Sequence, residues 1–225
     1  ILKNRRVFPH LISRLKERWQ KLLPLLLVLL FLIFLRAFPD IGFDSNWFHL
    51  SQPQYYLKAG RLFHIGGYIF PSGYPQFAEM LYLPLLYLGD STTTSVFSII
   101  IHFFLALVTC LIVKEKTSDR VLSFLAFFVV LTTPVIFDYA NIAYVDVLQA
   151  FAFLLSFYWL DKYLIEKENK LLALAAMMLV PVAAIKYSGG LISVALATYL
   201  IFAKMKLKKK ISALSVYAAI PILGL

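Results

Sequence analysis

The chain has 225 residues, of which 61% are hydrophobic, with a mean hydropathy of +0.79 and a formal charge of +10. Soluble domains carry roughly 45–50% apolar residues, so this composition places the chain in lipid, with room for about six or seven spans. The single cysteine, Cys110, sits inside an apolar run and excludes both a disulfide framework and a cysteine-based metal site.

Residues 1–21 hold seven of the cations, and Val7, Leu11, Ile12, Leu15 and Trp19 recur among them at helical spacing. That pattern predicts a basic amphipathic segment on the cytoplasmic membrane surface. The apolar run at about 22–38 predicts the first span. It is followed by RAFPD rather than a small-residue cleavage site, and so reads as an uncleaved signal anchor. Residues 39–76 form a long polar loop too rich in aromatics for disorder, expected to fold against the membrane.

The next stretch, FAEMLYLPLLYLG (77–89), is apolar but short and contains Pro84, which suits an interfacial or re-entrant helix. It completes a first outer loop at 39–90. Further spans are expected at about 94–113, 119–137, 145–164, 170–185 and 189–203, with a seventh beginning near 211. The apolar run is still open at Leu225, so the chain reads as part of a longer protein. The expected fold is all-α, a polytopic transmembrane helical bundle with residues 22–225 as its membrane domain.

Charge supplies the orientation. The N-terminal cations, the Lys114, Lys116, Arg120 group, the Lys162, Lys167, Lys170 group and the KMKLKKK loop at 204–210 together hold 18 of the 22 basic residues. All four fall on one side when 77–89 does not cross, which is the positive-inside pattern of a multi-pass plasma-membrane protein with a cytoplasmic N-terminus. These cations face membrane lipids, not nucleic acid.

The acids then divide. Glu17, Glu115, Asp119, Asp161, Glu166 and Glu168 mingle with the cytoplasmic cations and read as solvated. Asp40, Asp44, Glu79, Asp90, Asp138 and Asp146 fall outside, accompanied only by Arg36, Lys58, Arg61 and Lys186. Asp146 starts the fourth span and Lys186 ends the fifth, at the same membrane boundary. Ionisable groups at such depths are costly and usually functional. The structural alternatives are a helix N-terminal acid favoured by the macrodipole and a snorkelling lysine. His10, His64 and His102 carry no visible chemistry.

FDSNWFHLSQPQYYLKAGRL (43–62) and YPQFAEMLYLPLLYLG (74–89) resemble the first outer loop of the GT-C glycosyltransferases, the superfamily that holds the protein O-mannosyltransferases and the lipid A aminoarabinose transferase. They are most similar to its prokaryotic branch. YVDVLQAFAFLLSFYWLDKY and IKYSGGLI resemble that family's fourth-span acid and fifth-span lysine motifs. The resemblance implies transfer of a sugar from a polyprenyl-phosphate donor to a lipid, glycan or protein acceptor. It maps the catalytic loop acid onto Asp44, the second-loop acid onto Asp146 and the phosphate-contacting lysine onto Lys186, with neighbouring Tyr187 in the substrate-binding set.

Chemistry explains those residue types. A carboxylate can take the acceptor's proton, and a fixed cation can stabilise charge developing on the departing phosphate. His49 is expected either to meet donor phosphate, or a divalent metal together with Asp44 or Glu79, or to be a structural hydrogen-bonding residue. Glu79 either serves the substrate or anchors the loop to a cation such as Arg61. Lys58 and Arg61 contact phosphate or headgroups. Trp47, Tyr55, Tyr56 and Tyr68 line a sugar site or form an interfacial aromatic belt. No organic cofactor is required, and a divalent cation stays open. The competing classes are a secondary transporter, with Asp146 and Lys186 lining a substrate path, and a structural membrane subunit.

Overall fold

The computed structural model describes the backbone of residues 7–67 and 70–224, with side chains within 22–67 and 71–219. Residues 1–6, Tyr68 and the side chains on which the amphipathic reading of 1–21 rests lie outside the described residues. Among those described the fold is all-α, without a strand.

Helix α1 runs from Val7 to Arg36. The backbone runs as one helix, containing Pro24, through the change from surface segment to span expected near residue 21. The following loop is built as expected from folded pieces: a π-helical turn Ser45–His49, α2 at Ser51–Ala59, and a 3₁₀ turn Phe70–Gly73. Gly60, at φ +64°, ends α2 in the left-handed conformation that glycine adopts without a Cβ penalty.

Helix α3, Phe77–Leu88, carries Pro84 inside it, and its 12 residues reach only about 18 Å. Helix α4, Ser91–Thr117, overruns its expected bounds at both ends. Asp90 caps it, accepting from the Thr92 amide at 2.8 Å, and these hydrogen bonds hold its carboxyl below the ordinary range.

The span expected at 119–137 is broken in two, α5 at Arg120–Thr132 and α6 at Pro134–Tyr139. Proline disfavours the helical conformation at the residue before it, and here Thr133 is extended, with ψ 118°. Pro134 also has no N–H for the Val130 carbonyl. The buried His102 of α4 supplies the missing donor, its Nε2 lying 3.0 Å from Val130 O. His102 thus has a structural task that its sequence context concealed.

Helices α7 (Asp146–Glu166), α8 (Asn169–Ile185) and α9 (Ser188–Phe202) lie within two residues of expectation, and α10 (Leu207–Gly224) starts one turn early. One core joins α7 to α10 through Ala152, Leu160, Ala175, Ala176, Leu196 and Tyr217. Small residues let the axes approach closely. Ser156 donates to Ala175 O at 2.8 Å and shares a hydrogen bond with the Tyr217 hydroxyl at the same distance. A second core packs α1 on α4 and α5 around Phe103 and Phe127, and a third seats α3 against α4 and the start of α7 around Tyr82.

At one end of the bundle α4, α7 and α9 are tied by charge. Lys116 pairs with Asp161, which also accepts from the Tyr199 hydroxyl at 2.8 Å, and Lys162 lies 3.1 Å from Glu115. Asp161 is therefore a partly shielded interhelix tie, not the solvated acid expected from its neighbours. The 39–90 segment folds over the other end, where α4, α7 and α9 begin and α8 stops.

Among the described residues, one helix, α4, is long and apolar enough by itself to cross a bilayer. Five shorter apolar stretches accompany it: Leu22–Arg36, Phe77–Leu88, Arg120–Thr132, Asn169–Ile185 and Ser188–Phe202.

Candidate active site

The site is assembled from segments that the chain meets far apart. Asp40 begins it. Its buried carboxylate accepts from the Gly42 amide at 2.7 Å and from the Ala143 amide, fastening the loop after α1 to the one before α7. Arg36 reinforces the junction, donating to Asn141 Oδ1 at 2.6 Å with its guanidinium 3.7 Å from the centre of the Phe137 ring. Gly42 leaves room for this packing, since a Cβ there would lie 2.8 Å from Ser45 Oγ and 3.1 Å from the Tyr144 ring, so those side chains would have to shift.

From that junction the chain enters the π-helical turn, closed by the Leu50 amide donating to Ser45 O at 2.7 Å. Such turns often mark functional sites, since the wider coil redirects a side chain. His49, at its end, is buried and its Nδ1 donates to Glu79 Oε1 of α3 at 2.5 Å. Asp44, just before the turn, is half-buried. Its amide donates to the Tyr144 hydroxyl at 3.4 Å, and its carboxylate has no hydrogen-bonding partner among the described residues.

The opposite wall comes from the α8–α9 corner. Lys186 is the extended residue between the helices, and its Nζ reaches Asp146 Oδ1 at 2.9 Å, both side chains about half exposed. Gln149, one turn along α7 from Asp146, holds the corner. Its Nε2 donates to Val182 O at 3.0 Å, one of the carbonyls that a helix end leaves unpaired, and its Oε1 accepts from Ser188 at 3.1 Å. The chain doubles back so tightly that a Cβ on Gly189 would lie 1.8 Å from Val182 O. Tyr187 leaves the corner toward the loop, its hydroxyl 3.4 Å from Gly73 O and its ring 5.3 Å from that of Tyr74.

These walls enclose a cavity of about 320 Å³ lined by Asp44, His49, Glu79, Asp146, Lys186 and Tyr187, with Phe48, Tyr74 and Tyr144 adding aromatic surface. Six of the seven residues expected in the site are thereby in one place. Arg61 is not among them: it is exposed outside the cavity, 5.9 Å from the Phe63 ring, and Glu79 pairs with His49 rather than with any cation. Lys58 and Tyr55 belong to a separate shallow depression with Ser51 and Gln54, and Tyr56 is buried against Gln52 and Gln76. No three His, Cys, Asp or Glu side chains among the described residues converge as a metal-binding group.

Gln149 had a readable signal, an amide three residues from Asp146 in an otherwise apolar run, hence on the same helix face. Asp40, Tyr144 and Gly189 had none, because their partners are residues 143, 44 and 182.

The chain matches no protein-family model, no curated protein and no solved structure.

Proposed function

We propose that this chain is a multi-pass membrane glycosyltransferase domain that moves a sugar from a polyprenyl-phosphate donor to an acceptor at the non-cytoplasmic face. The observation that carries the reading is the convergence of Asp44, Asp146 and Lys186 on one cavity. It supports the motif resemblance because the three residues come from separate segments spread over about a hundred and forty positions of sequence.

Several features support a membrane setting with this orientation. Helix α7 extends about 31 Å and α8 about 26 Å, close to the roughly 30 Å hydrocarbon core. Phe124, Leu125, Val129, Met177, Leu191 and Val194 are exposed apolar residues on the outer faces of helices, as lipid contact requires. The cavity lies at the bundle end remote from the Lys116–Asp161 and Lys162–Glu115 pairs. With the basic loops cytoplasmic, it opens at the outer leaflet.

In the reaction the acceptor oxygen attacks the sugar C1 as the bond from C1 to the phosphate oxygen breaks. The acceptor's proton passes to the Asp44 carboxylate, and the polyprenyl phosphate leaves with the bond's electron pair. Lys186 faces that phosphate, exchanging part of its contact with Asp146 for one with the donor. Asp146 keeps the ammonium at the mouth while no donor is bound. A transporter would hold its polar groups near the middle of the helices. The buried mid-helix side chains Ser156 and His102 are instead engaged by Ala175 O and Tyr217 and by Val130 O.

Purified protein in nanodiscs, supplied with polyprenyl-phosphate sugars and a crude envelope extract as acceptor, is expected to release bare polyprenyl phosphate and label an acceptor. Solute or proton flux in proteoliposomes with no donor consumption would replace this reading with the transporter.

A further inference from the structure

Buried carboxylates are nearly always fully hydrogen bonded, and Glu79 is not. It is 3% exposed, and Oε1 accepts a hydrogen bond from His49 Nδ1 at 2.5 Å, while the buried Oε2 has no partner among the described residues. An orphaned carboxylate oxygen costs stability unless a ligand satisfies it, and Glu79 lines the cavity. His49 is itself buried and packs its ring 3.9 Å from that of Phe48, so the carboxylate's partner is held on the protein side.

The cavity is also graded in exposure. Lys186 and Asp146 are 51% and 48% exposed at the mouth, whereas His49 and Glu79 are 9% and 4% exposed at the depth. A lipid phosphate has to remain at the mouth, near headgroups and the one lining cation. Only the group attached to it can reach the depth, and about 320 Å³ is at the small end of ligand pockets, suited to a single sugar ring.

Resting on the sugar-transfer reading above, we infer that Glu79 is the sugar-reading residue, its carboxylate accepting a hydrogen bond from a hydroxyl or amino group of the donor's sugar, and that His49 is a positioning residue that holds it in place. A site with a buried acceptor waiting for a donor group discriminates strongly against a ligand that lacks one. Selectivity therefore resides at the buried end of the cavity and carrier affinity at the exposed end.

The test compares two probes on the purified protein in nanodiscs: bare polyprenyl phosphate, and the same carrier bearing mannose or glucose. Glu79→Gln keeps an oxygen for His49 but puts an NH₂ in place of the second acceptor. It is expected to lower affinity for the better-bound loaded carrier by roughly 10- to 100-fold while leaving affinity for the bare carrier unchanged, which also reports that the variant is folded. Lys186→Met should weaken both probes alike. His49→Phe keeps an aromatic ring against Phe48 and should give the same split as Glu79→Gln, with the double variant no worse than either single one. Equal loss of both probes in Glu79→Gln, or no loss of either, overturns the sugar-reading role and leaves sugar transfer standing. A parent protein that binds neither loaded carrier more tightly than the bare one overturns the sugar-reading role, and one that also releases no bare carrier in the transfer assay overturns both.

Discussion

Asp44 and Lys186 differ in what their surroundings allow them to do. Asp44 is half-buried with an uncommitted carboxylate, the condition a general base needs, and Lys186 is half exposed on an extended residue between two helix ends. Asp44→Asn preserves shape and removes the proton acceptor, so single-turnover transfer should fall by roughly 10²–10⁴ with binding of polyprenyl phosphate retained. Lys186→Met should weaken that binding by the equivalent of about 1.5–3 kcal/mol, the range of a charge-assisted hydrogen bond. Isothermal titration beside the rate measurement separates the two. An Asp44→Asn variant with near-parental turnover would remove it from the mechanism. The two glycines after Lys186 give a control pair. Gly189→Ala forces a Cβ onto the Val182 backbone and should cost about 1–3 kcal/mol, as overpacking does, whereas Gly190→Ala meets nothing within 4 Å and should be neutral or slightly stabilising. Thermal unfolding in detergent measures both.

Between elements, the determining features are places where proline or a helix end frees a carbonyl and a side chain from another helix satisfies it. His102 does this for Val130 across the α4–α5 contact, and Gln149 does it for Val182 across α7–α8. His102→Leu should therefore destabilise by about 1 kcal/mol, within the range for interhelix hydrogen bonds in membranes. Pro134→Ala restores an N–H to the Val130 carbonyl, so in that background the His102 substitution should cost measurably less. Additive costs in the four-variant cycle would show that His102 contributes by packing alone.

For the molecule as a whole, the ion pairs at one end and the cavity at the other make orientation testable without any substrate. Single cysteines at the exposed Lys58 or Arg61, in a Cys110→Ala background, should react with an impermeant maleimide in intact cells. A cysteine at Lys204 should react only after lysis. The reverse pattern would put the cavity in the cytoplasm and remove polyprenyl-phosphate transfer at the outer face with it. A reporter fused after Asp90 should also report the outer side, since α3 is too short at about 18 Å to cross.

Helix positions were legible from the chain alone because apolar runs and the polar residues that interrupt them act over a few residues. That is why α8 and α9 fall within two residues of expectation. The charge pattern gave an outer set of six acids and four cations, and it was the motif resemblance that picked Asp44, Asp146 and Lys186 from it before any contact was known. The length of α1 and the break at Thr133 were less legible: a change from basic to apolar residues does not by itself interrupt a helix, and Pro134 ends one here although Pro24 and Pro84 sit inside theirs. What only the tertiary structure decided is who meets whom. His49 finds Glu79 at a separation of 30 residues and Asp40 finds Ala143 at 103, while Arg61, equally charged and equally close in sequence to the motif, is left outside. A carboxylate's partner is set by the path of the backbone through space, which short-range composition does not encode, and so the sequence determined the inventory of the site and the fold determined its pairing.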